Sequence, residues 1–279
     1  MSNETVRVLG PADFTDFLLL TDRSPVVNVF AEHRARLTTL EPRWLGGEVW
    51  GRFLDGRLVA ALHVGANLVP IQCGPDDVAA FVKHALWSRR SVATIVGPAA
   101  AVAELWRLLE PTWGPAREIR SHQPHLEIGA APSIPPDPEV VVTSRDQIDL
   151  VYPACVAMYT EEVGISPEEG GGGDLYRARV AQLIARGWQF SRIEDGRVVF
   201  KAEVACATSH GAQVQGVYVV PDRRGEGLAT RGMAAVVELI RRNIAPVASL
   251  YVNDFNVAAR TAYERVGFRE TERFMTVMF

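Results

Sequence analysis

Apolar residues in the C-terminal half of the chain recur at the spacings of helices and strands. Leu228 to Ile240 carries them at helical spacing, and 145–162 and 175–185 are predicted as two further helices. Asp195-Gly196 is an acid-glycine pair of the kind that tight hairpins prefer, and it separates two of the predicted strands. Strands are predicted at 139–143, 188–193, 198–204, 213–220 and 274–278. This order predicts a mixed, mostly antiparallel sheet flanked by helices, an α/β (α+β) fold class.

The N-terminal half follows part of the same order. Asp55-Gly56-Arg57 is similar to Asp195-Gly196-Arg197, and each triplet is followed by apolar residues. The other predicted elements of this half are a helix at 76–87, a strand at 92–96 and a helix at 99–109. We interpret the N-terminal half as a degenerate copy of the C-terminal plan.

A proline-rich segment separates the two halves. Four of the seven residues at 132–138 are prolines, a density that neither a helix nor a central strand accepts. We therefore predict an N-terminal domain at 1–128, a linker at 129–138 and a second domain at 139–279. A length of 279 residues fits two domains of ordinary size.

Composition and charge narrow the class of protein. Apolar residues make up 48% of the chain and charged residues 22%, which is typical of a globular protein with ample core. The net charge of -4 is small, so neither nucleic acid nor a membrane surface is expected as a partner. The three cysteines are widely spaced, and the sequence shows no secretion signal and no long apolar run. We predict a cytoplasmic protein and leave its oligomeric state open.

The segment 216–231 is the most informative stretch for function. A predicted strand passes through Pro221 into a turn with Gly225 and Gly227, and a helix follows. Glycines let the backbone approach a ligand, and the start of a helix offers unpaired N–H groups to an anion. Arg223, Arg224 and Arg231 would add positive charge. The segment is therefore predicted to bind a diphosphate.

Two other phosphate-binding loops fit this segment poorly. A Walker A loop needs Gly-Lys-Ser/Thr, but Gly227 is followed by Leu228 and Ala229, so nucleotide hydrolysis is not expected. A dinucleotide-binding loop needs a third glycine at the position of Thr230 and a strand-helix-strand unit, whereas the preceding segments are predicted as hairpin-linked strands.

The C-terminal half resembles the GNAT superfamily of N-acetyltransferases over residues 139–279. Arg224, Gly227 and Ala229 fit the acetyl-CoA loop pattern Arg/Gln-x-x-Gly-x-Gly/Ala of that family. Asn256 stands where the family has a cofactor-facing asparagine, and Tyr263 begins a Tyr-x-x-x-Gly-Phe sequence that resembles the end of its last helix. The resemblance implies the GNAT fold and acetyl-CoA as cosubstrate. It assigns coenzyme contacts to Val217, Tyr218, Val219, Arg224, Gly225, Glu226, Gly227, Leu228, Ala229, Thr230 and Asn256.

The same resemblance implies roles for a few side chains in acyl transfer. Tyr263 corresponds to the general acid that protonates the leaving thiolate in many members, and a backbone N–H in 217–219 meets the thioester oxygen. Asn256 either caps the last helix or bonds the pantetheine arm, or does both. Glu203 is our candidate general base, although a solvated or salt-bridged glutamate on the outer face is an equal interpretation. No histidines fall at metal-ligand spacing, so no metal is expected.

The sequence gives the least information about the residues that bind the acceptor. Glu161 and Glu162 end the first predicted helix of this half, and they either hold a cationic amine or cover a helix face. Gly170 to Gly173 follows them, as a lid that orders with substrate or as a flexible connection.

The N-terminal half has Gly74-Pro75-Asp76-Asp77 at its corresponding loop, whose carboxylates repel phosphate, so it is predicted to bind no coenzyme. The predicted function is acetyl transfer from acetyl-CoA to an amine, a small molecule or a protein, by direct attack in a ternary complex. The alternatives are a different acyl-CoA or acceptor, or a non-catalytic CoA-sensing or protein-interaction module.

Overall fold

The computed structural model describes residues 3–86 and 92–279. These residues divide into two compact units. Unit 1 comprises the described chain up to His125 together with Tyr251–Phe255 and Glu270–Phe279, and unit 2 comprises Leu126–Leu250 and Asn256–Arg269. The sequence predicts one boundary along the chain, with domains at 1–128 and 139–279 on either side of the linker, and this domain division stays a prediction. The compact units differ from it because the chain returns to unit 1 near its end.

The N-terminal part of the chain alternates short strands with helices. Its elements are β1 (Glu4–Val8), α1 (Phe14–Thr21), α2 (Val29–Thr38), α3 (Pro42–Leu45), β2 (Glu48–Leu54), β3 (Arg57–Val64), β4 (Asn67–Ile71), α4 (Pro75–Phe81), β5 (Thr94–Pro98), α5 (Ala99–Trp113) and β6 (Glu118–Ile128). A π-helical turn at Val82–Leu86 follows α4. The predicted helix 76–87 is therefore confirmed as far as the described residues reach, and residue 87 lies outside them. The predicted helix 99–109 is confirmed and extends to Trp113.

The C-terminal part has the predicted order of elements. They are β7 (Val141–Val142), α6 (Ile148–Val163), α7 (Gly173–Ala185), β8 (Gln189–Glu194), β9 (Arg197–Ala207), β10 (Ala212–Val219), α8 (Leu228–Asn243), β11 (Ala248–Tyr251), α9 (Val257–Val266) and β12 (Arg269–Met278). Only the first strand is markedly shorter than predicted, at two residues instead of five. Among the described helices, none has both the length and the apolar character needed to span a bilayer.

Unit 1 contains a mixed sheet in the order β1-β2-β3-β4-β5-β12. All these neighbours pair antiparallel except β4 and β5, which are parallel and pair only at Asn67 with Thr94 and Leu68 with Ile95. Beyond these pairs, Gly97 (φ +149°) lets the ring of Pro70 approach to 3.3 Å from the position of a Cβ. The opening between the two strands is therefore narrowed by a proline.

Unit 2 repeats this arrangement in the order β11-β10-β9-β8-β7. Its neighbours also pair antiparallel, except for the parallel pair β10 and β11. Phe200 and Lys201 are consecutive in β9 and so point to opposite faces of the sheet. Phe200 packs on Gly232 of α8, where a Cβ would stand 2.7 Å from the ring, and Lys201 contacts Cys155 of α6. Helices α6 and α8 therefore cover opposite faces, as the predicted fold class requires.

Two buried histidines make the stability of unit 1 depend on pH. His63 lies edge-on to Phe30 and His125 stacks on Phe274. Burial lowers the pKa of both imidazoles to about 4, with nearby Arg34 adding to the effect at His63. Because an exposed histidine has a pKa of about 6.5, protons bind the unfolded chain first, and stability is lost as the pH falls from 6.5 towards 4.

We predict that each of these histidines costs about 2 kcal/mol of stability between pH 7 and pH 5. Urea denaturation of the whole chain at both pH values measures the change. The variant His63→Gln, which does not titrate, should lose about half of the pH-dependent difference. An unchanged difference in this variant would contradict the assignment.

Candidate active site

The strands β10 and β11 stop pairing after two positions. Ala212 pairs with Ala248 and Gln213 with Ser249, but β10 continues to Val219 with its other edge on β9. A bulge interrupts β10 where residues 216 and 217 lie opposite the single residue Ala202. Gly216 takes a φ of +60° at this bulge. The segment 217–219 is half-buried, and its edge towards β11 is open to a further strand-like partner.

The predicted diphosphate loop lies directly after β10. Gly225 and Gly227 have φ values of +84° and +77°, a conformation that favours glycine. Helix α8 begins at Leu228, and its first intrahelical hydrogen bond runs from the Arg231 N–H to the Gly227 carbonyl. The N–H groups of residues 228–230 therefore have no acceptor within the helix and lie at the positive end of its dipole. A Cβ at Gly225 would meet no atom of the described residues within 4 Å, so the space above the loop is open to a ligand in this part of the structure.

The three arginines of the loop are not equivalent. Arg223 pairs with Glu226 and with Glu194, which raises the pKa of its guanidinium. Arg224 donates to the Val219 carbonyl and pairs with Glu161 of α6 at 2.7 Å.

Arg231 donates to the Glu226 carbonyl at 3.3 Å and forms no ion pair within the described part of the chain. The charge available to an anion at this loop therefore comes mainly from Arg231 and the helix start.

Glu203 lies beneath the bulge rather than on an outer face. Its carboxylate accepts hydrogen bonds from Lys201 Nζ at 2.9 Å and from Gln215 Nε2 at 2.7 Å. Both Lys201 and Glu203 are buried, and a Cβ at Gly216 would stand 3.2 Å from each of them. Burial opposes the charge on both groups, but their mutual attraction prevails: the pKa of Glu203 is lowered and that of Lys201 is raised. Glu203 is buried, so the interpretation of it as a solvated or salt-bridged glutamate on the outer face is wrong: its ion pair lies in the interior. Its role as general base stays a prediction.

Tyr263 and Asn256 lie at the two ends of α9. Asn256 Oδ1 accepts the Ala259 N–H at 3.1 Å, so its predicted capping role is confirmed. Tyr263 is 6% exposed, and its ring lies 5.8 Å from that of Phe268. Burial, with the charge of Glu162 adding to it, raises the pKa of the Tyr263 phenol. The tyrosine therefore stays protonated at neutral pH, and Glu162 of α6 lies near enough to influence it.

The connection between α6 and α7 is held at several points. Its glycine-rich part forms a 3-10 turn at Glu169–Gly171. The Tyr152 hydroxyl contacts Glu168 Oε1 at 3.1 Å and the Gly173 carbonyl at 3.2 Å. Glu161, one of the two predicted acceptor residues, is engaged by Arg224 across this end of α6. The connection has a defined structure here, and its role as a lid stays a prediction.

Several polar residues near Glu203 escaped the sequence analysis. Arg179 of α7 reaches Glu203 Oε1 at 4.0 Å. Gln189 is fully buried opposite Glu203 on β8, and within the described residues neither polar atom of its side chain has a hydrogen-bond partner. Strand alternation was a signal only for the neighbouring Lys201, because Lys201 and Glu203 share one face of β9.

Comparisons with known proteins agree with this geometry. Residues 186–268 match the family model of the acetyltransferase (GNAT) family, and residues 47–151 match a domain of unknown function, DUF4081. No curated protein sequence matches the chain significantly.

Solved structures with a similar fold cover nearly the whole chain. A GNAT-family acetyltransferase from Colwellia psychrerythraea has a TM-score of 0.60 at 14% identity, covering 99% of both chains. A tandem GNAT protein from the clavulanic acid biosynthesis pathway has a TM-score of 0.55 at 14% identity, covering 99% of this chain and 98% of its own. A GCN5-related N-acetyltransferase from Sphaerobacter thermophilus has a TM-score of 0.58 at 17% identity, covering 98% of this chain and 94% of its own.

At these identities the structures establish the fold, which extends over both halves of the chain. The sequence match establishes the family of the C-terminal segment. Residues 186–268 thus form a GNAT domain, and the protein that carries it is an acyltransferase.

Proposed function

We propose that the protein transfers an acetyl group from acetyl-CoA to an amine by direct attack in a ternary complex. The observation that carries this proposal is the continuity of three features in unit 2: the open edge of β10, the glycine loop and the start of α8. An open strand edge suits the amide groups of pantetheine, and the helix start suits a diphosphate. A fold neighbour named as an N-acetyltransferase favours nitrogen as the acceptor atom.

The bulge in β10 supplies the site of chemistry in this proposal. A backbone N–H in 217–219 receives the thioester oxygen and stabilises the negative charge that develops on it. The acceptor binds as a neutral amine and attacks the carbonyl carbon. Its nitrogen then becomes strongly acidic, so Glu203 can accept a proton despite its lowered pKa. Tyr263 donates its proton to the leaving sulfur, and solvent restores both residues.

Unit 1 is proposed to bind no coenzyme. Asp77 Oδ2 accepts the Gly74 N–H at 2.8 Å, and the same carboxylate pairs with Arg52 at 2.6 Å. The start of α4 therefore already has a carboxylate at the place where a phosphate would bind. Calorimetric titration with acetyl-CoA should give one site per chain, and two sites would contradict this assignment.

We predict that Gly225→Ala weakens acetyl-CoA binding at least about 10-fold, because the added methyl group enters the space proposed for the diphosphate. Gly56→Ala is the matched control: Gly56 has a φ of +77° and also no atom within 4 Å of a Cβ, but it lies in a hairpin of unit 1. Both variants carry the same backbone strain. Equal affinities for acetyl-CoA in the two variants would exclude the loop as the diphosphate site.

We predict that Tyr263→Phe lowers kcat about 100-fold and leaves the affinity for acetyl-CoA unchanged, since only the acidic hydroxyl is removed and the ring keeps its contact with Phe268. Thiol release with an amine panel measures kcat, and calorimetry measures affinity. Tyr159→Phe, in the aromatic contact with Tyr176, is the control. Unchanged turnover would remove Tyr263 from the mechanism. Wild-type protein that binds acetyl-CoA but releases no thiol would favour a CoA-sensing module.

A further inference from the structure

The contact between Arg179 and Glu203 is an ion pair without a hydrogen bond. Arg179 Nη2 lies 4.0 Å from Glu203 Oε1, beyond hydrogen-bond distance. The Arg179 side chain is 55% exposed, whereas that of Glu203 is 5% exposed. The guanidinium is therefore accessible from solvent, and its donors are not consumed by the carboxylate below it.

The charges around Glu203 do not cancel. Lys201 already neutralises the Glu203 carboxylate at 2.9 Å, and Arg179 adds a second positive charge from α7. Further polar groups near Glu203 are Gln215 on β10, Gln189 on β8 and the phenol of Tyr176 on α7. The Cys155 thiol of α6 contacts Lys201. An acceptor that binds as a neutral amine and carries no anionic group would leave this excess positive charge in place. An acceptor with its own carboxylate would compensate the excess.

The ion pair of Arg179 and Glu203 lies close to the site of the proposed chemistry. The Glu203 carboxyl carbon is 3.2 Å from the position of a Cβ at Gly216. A ligand group that is hydrogen-bonded to Glu203 would therefore lie at the bulge of β10. Gln189, across the strand from Glu203, has a buried and unpartnered amide among the described residues. Leaving such a buried group unpaired is destabilising, so polar atoms from a ligand or an ordered water are expected beside it.

From these observations we infer that the acceptor is a small α-amino acid. Its amine is hydrogen-bonded to Glu203, and its carboxylate forms an ion pair with Arg179. The amine and the carboxylate of an α-amino acid are joined through one carbon, so the two groups can reach an anion and a cation whose atoms lie 4.0 Å apart. Arginine binds a carboxylate in a two-pronged manner, and its exposed side chain is free to turn to do so. This inference rests on the proposed acetyl transfer, and it names the acceptor class for the same site.

The test uses pairs of a small α-amino acid and the amine left by its decarboxylation, such as alanine with ethylamine and serine with ethanolamine. Thiol release from acetyl-CoA by the full chain gives kcat/KM for each member. The wild-type protein should prefer one or more of the amino acids over the matched amine at least about 10-fold. Arg179→Met should remove this preference by raising KM for the amino acid, with little effect on the amine.

The matched control is Arg177→Met. Arg177 lies on the same helix, but it pairs with Asp149 and lies over the ring of Tyr152. This variant should keep the wild-type preference. Equal use of amino acids and amines by the wild type, or an equal loss for both in Arg179→Met, would overturn the acceptor class while leaving acetyl transfer intact.

Calorimetric titration of the amino acids into the CoA-bound protein separates the two proposals further. Amino acid binding that is lost in Arg179→Met and kept in Arg177→Met supports the acceptor class. If such binding occurs without thiol release, the proposed acetyl transfer is contradicted and the acceptor class is not. Acetyl-CoA binding with neither amino acid binding nor thiol release overturns both.

Discussion

The early separation of β10 from β11 is the constraint on which the site in unit 2 depends. A strand inside a sheet normally pairs on both edges, but β10 pairs with β11 at only two positions and continues to Val219 on β9 alone. Among the described residues no further strand pairs with this edge, so its backbone groups need a partner. The same strand leads into the glycine loop and then into α8. One open edge therefore aligns the sites proposed for pantetheine and for the diphosphate.

Unit 1 shows that this geometry alone does not make a coenzyme site. Its parallel strands β4 and β5 also pair at only two positions. However, Pro70 has no N–H to offer to a ligand, and its ring packs close to Gly97. At the start of α4 the Asp77 carboxylate already accepts a backbone N–H. The two units thus share a plan of strands and helices but differ in the side chains that decide binding.

The sequence predicted the parts of the site that are local in the chain. The loop 225–230 and the Asn256 cap depend on residues a few positions apart, so their patterns are visible in the sequence. The pairing of Arg224 with Glu161 joins residues far apart in the chain, and no spacing rule predicts it. Arg179 was missed for the same reason, because it lies on α7 and meets Glu203 of β9. The return of β12 to unit 1 likewise depends on long-range strand pairing.

The buried pair of Lys201 and Glu203 is difficult to explain by stability alone. Removing two charges from water is costly, and apolar side chains of similar volume often serve a core at least as well. The pair also restricts the bulge above it, since any side chain at position 216 would stand 3.2 Å from both charged groups. The φ of +60° at Gly216 independently disfavours other residues. Bulge and ion pair therefore lie against each other, and both are placed where the proposed transfer takes place.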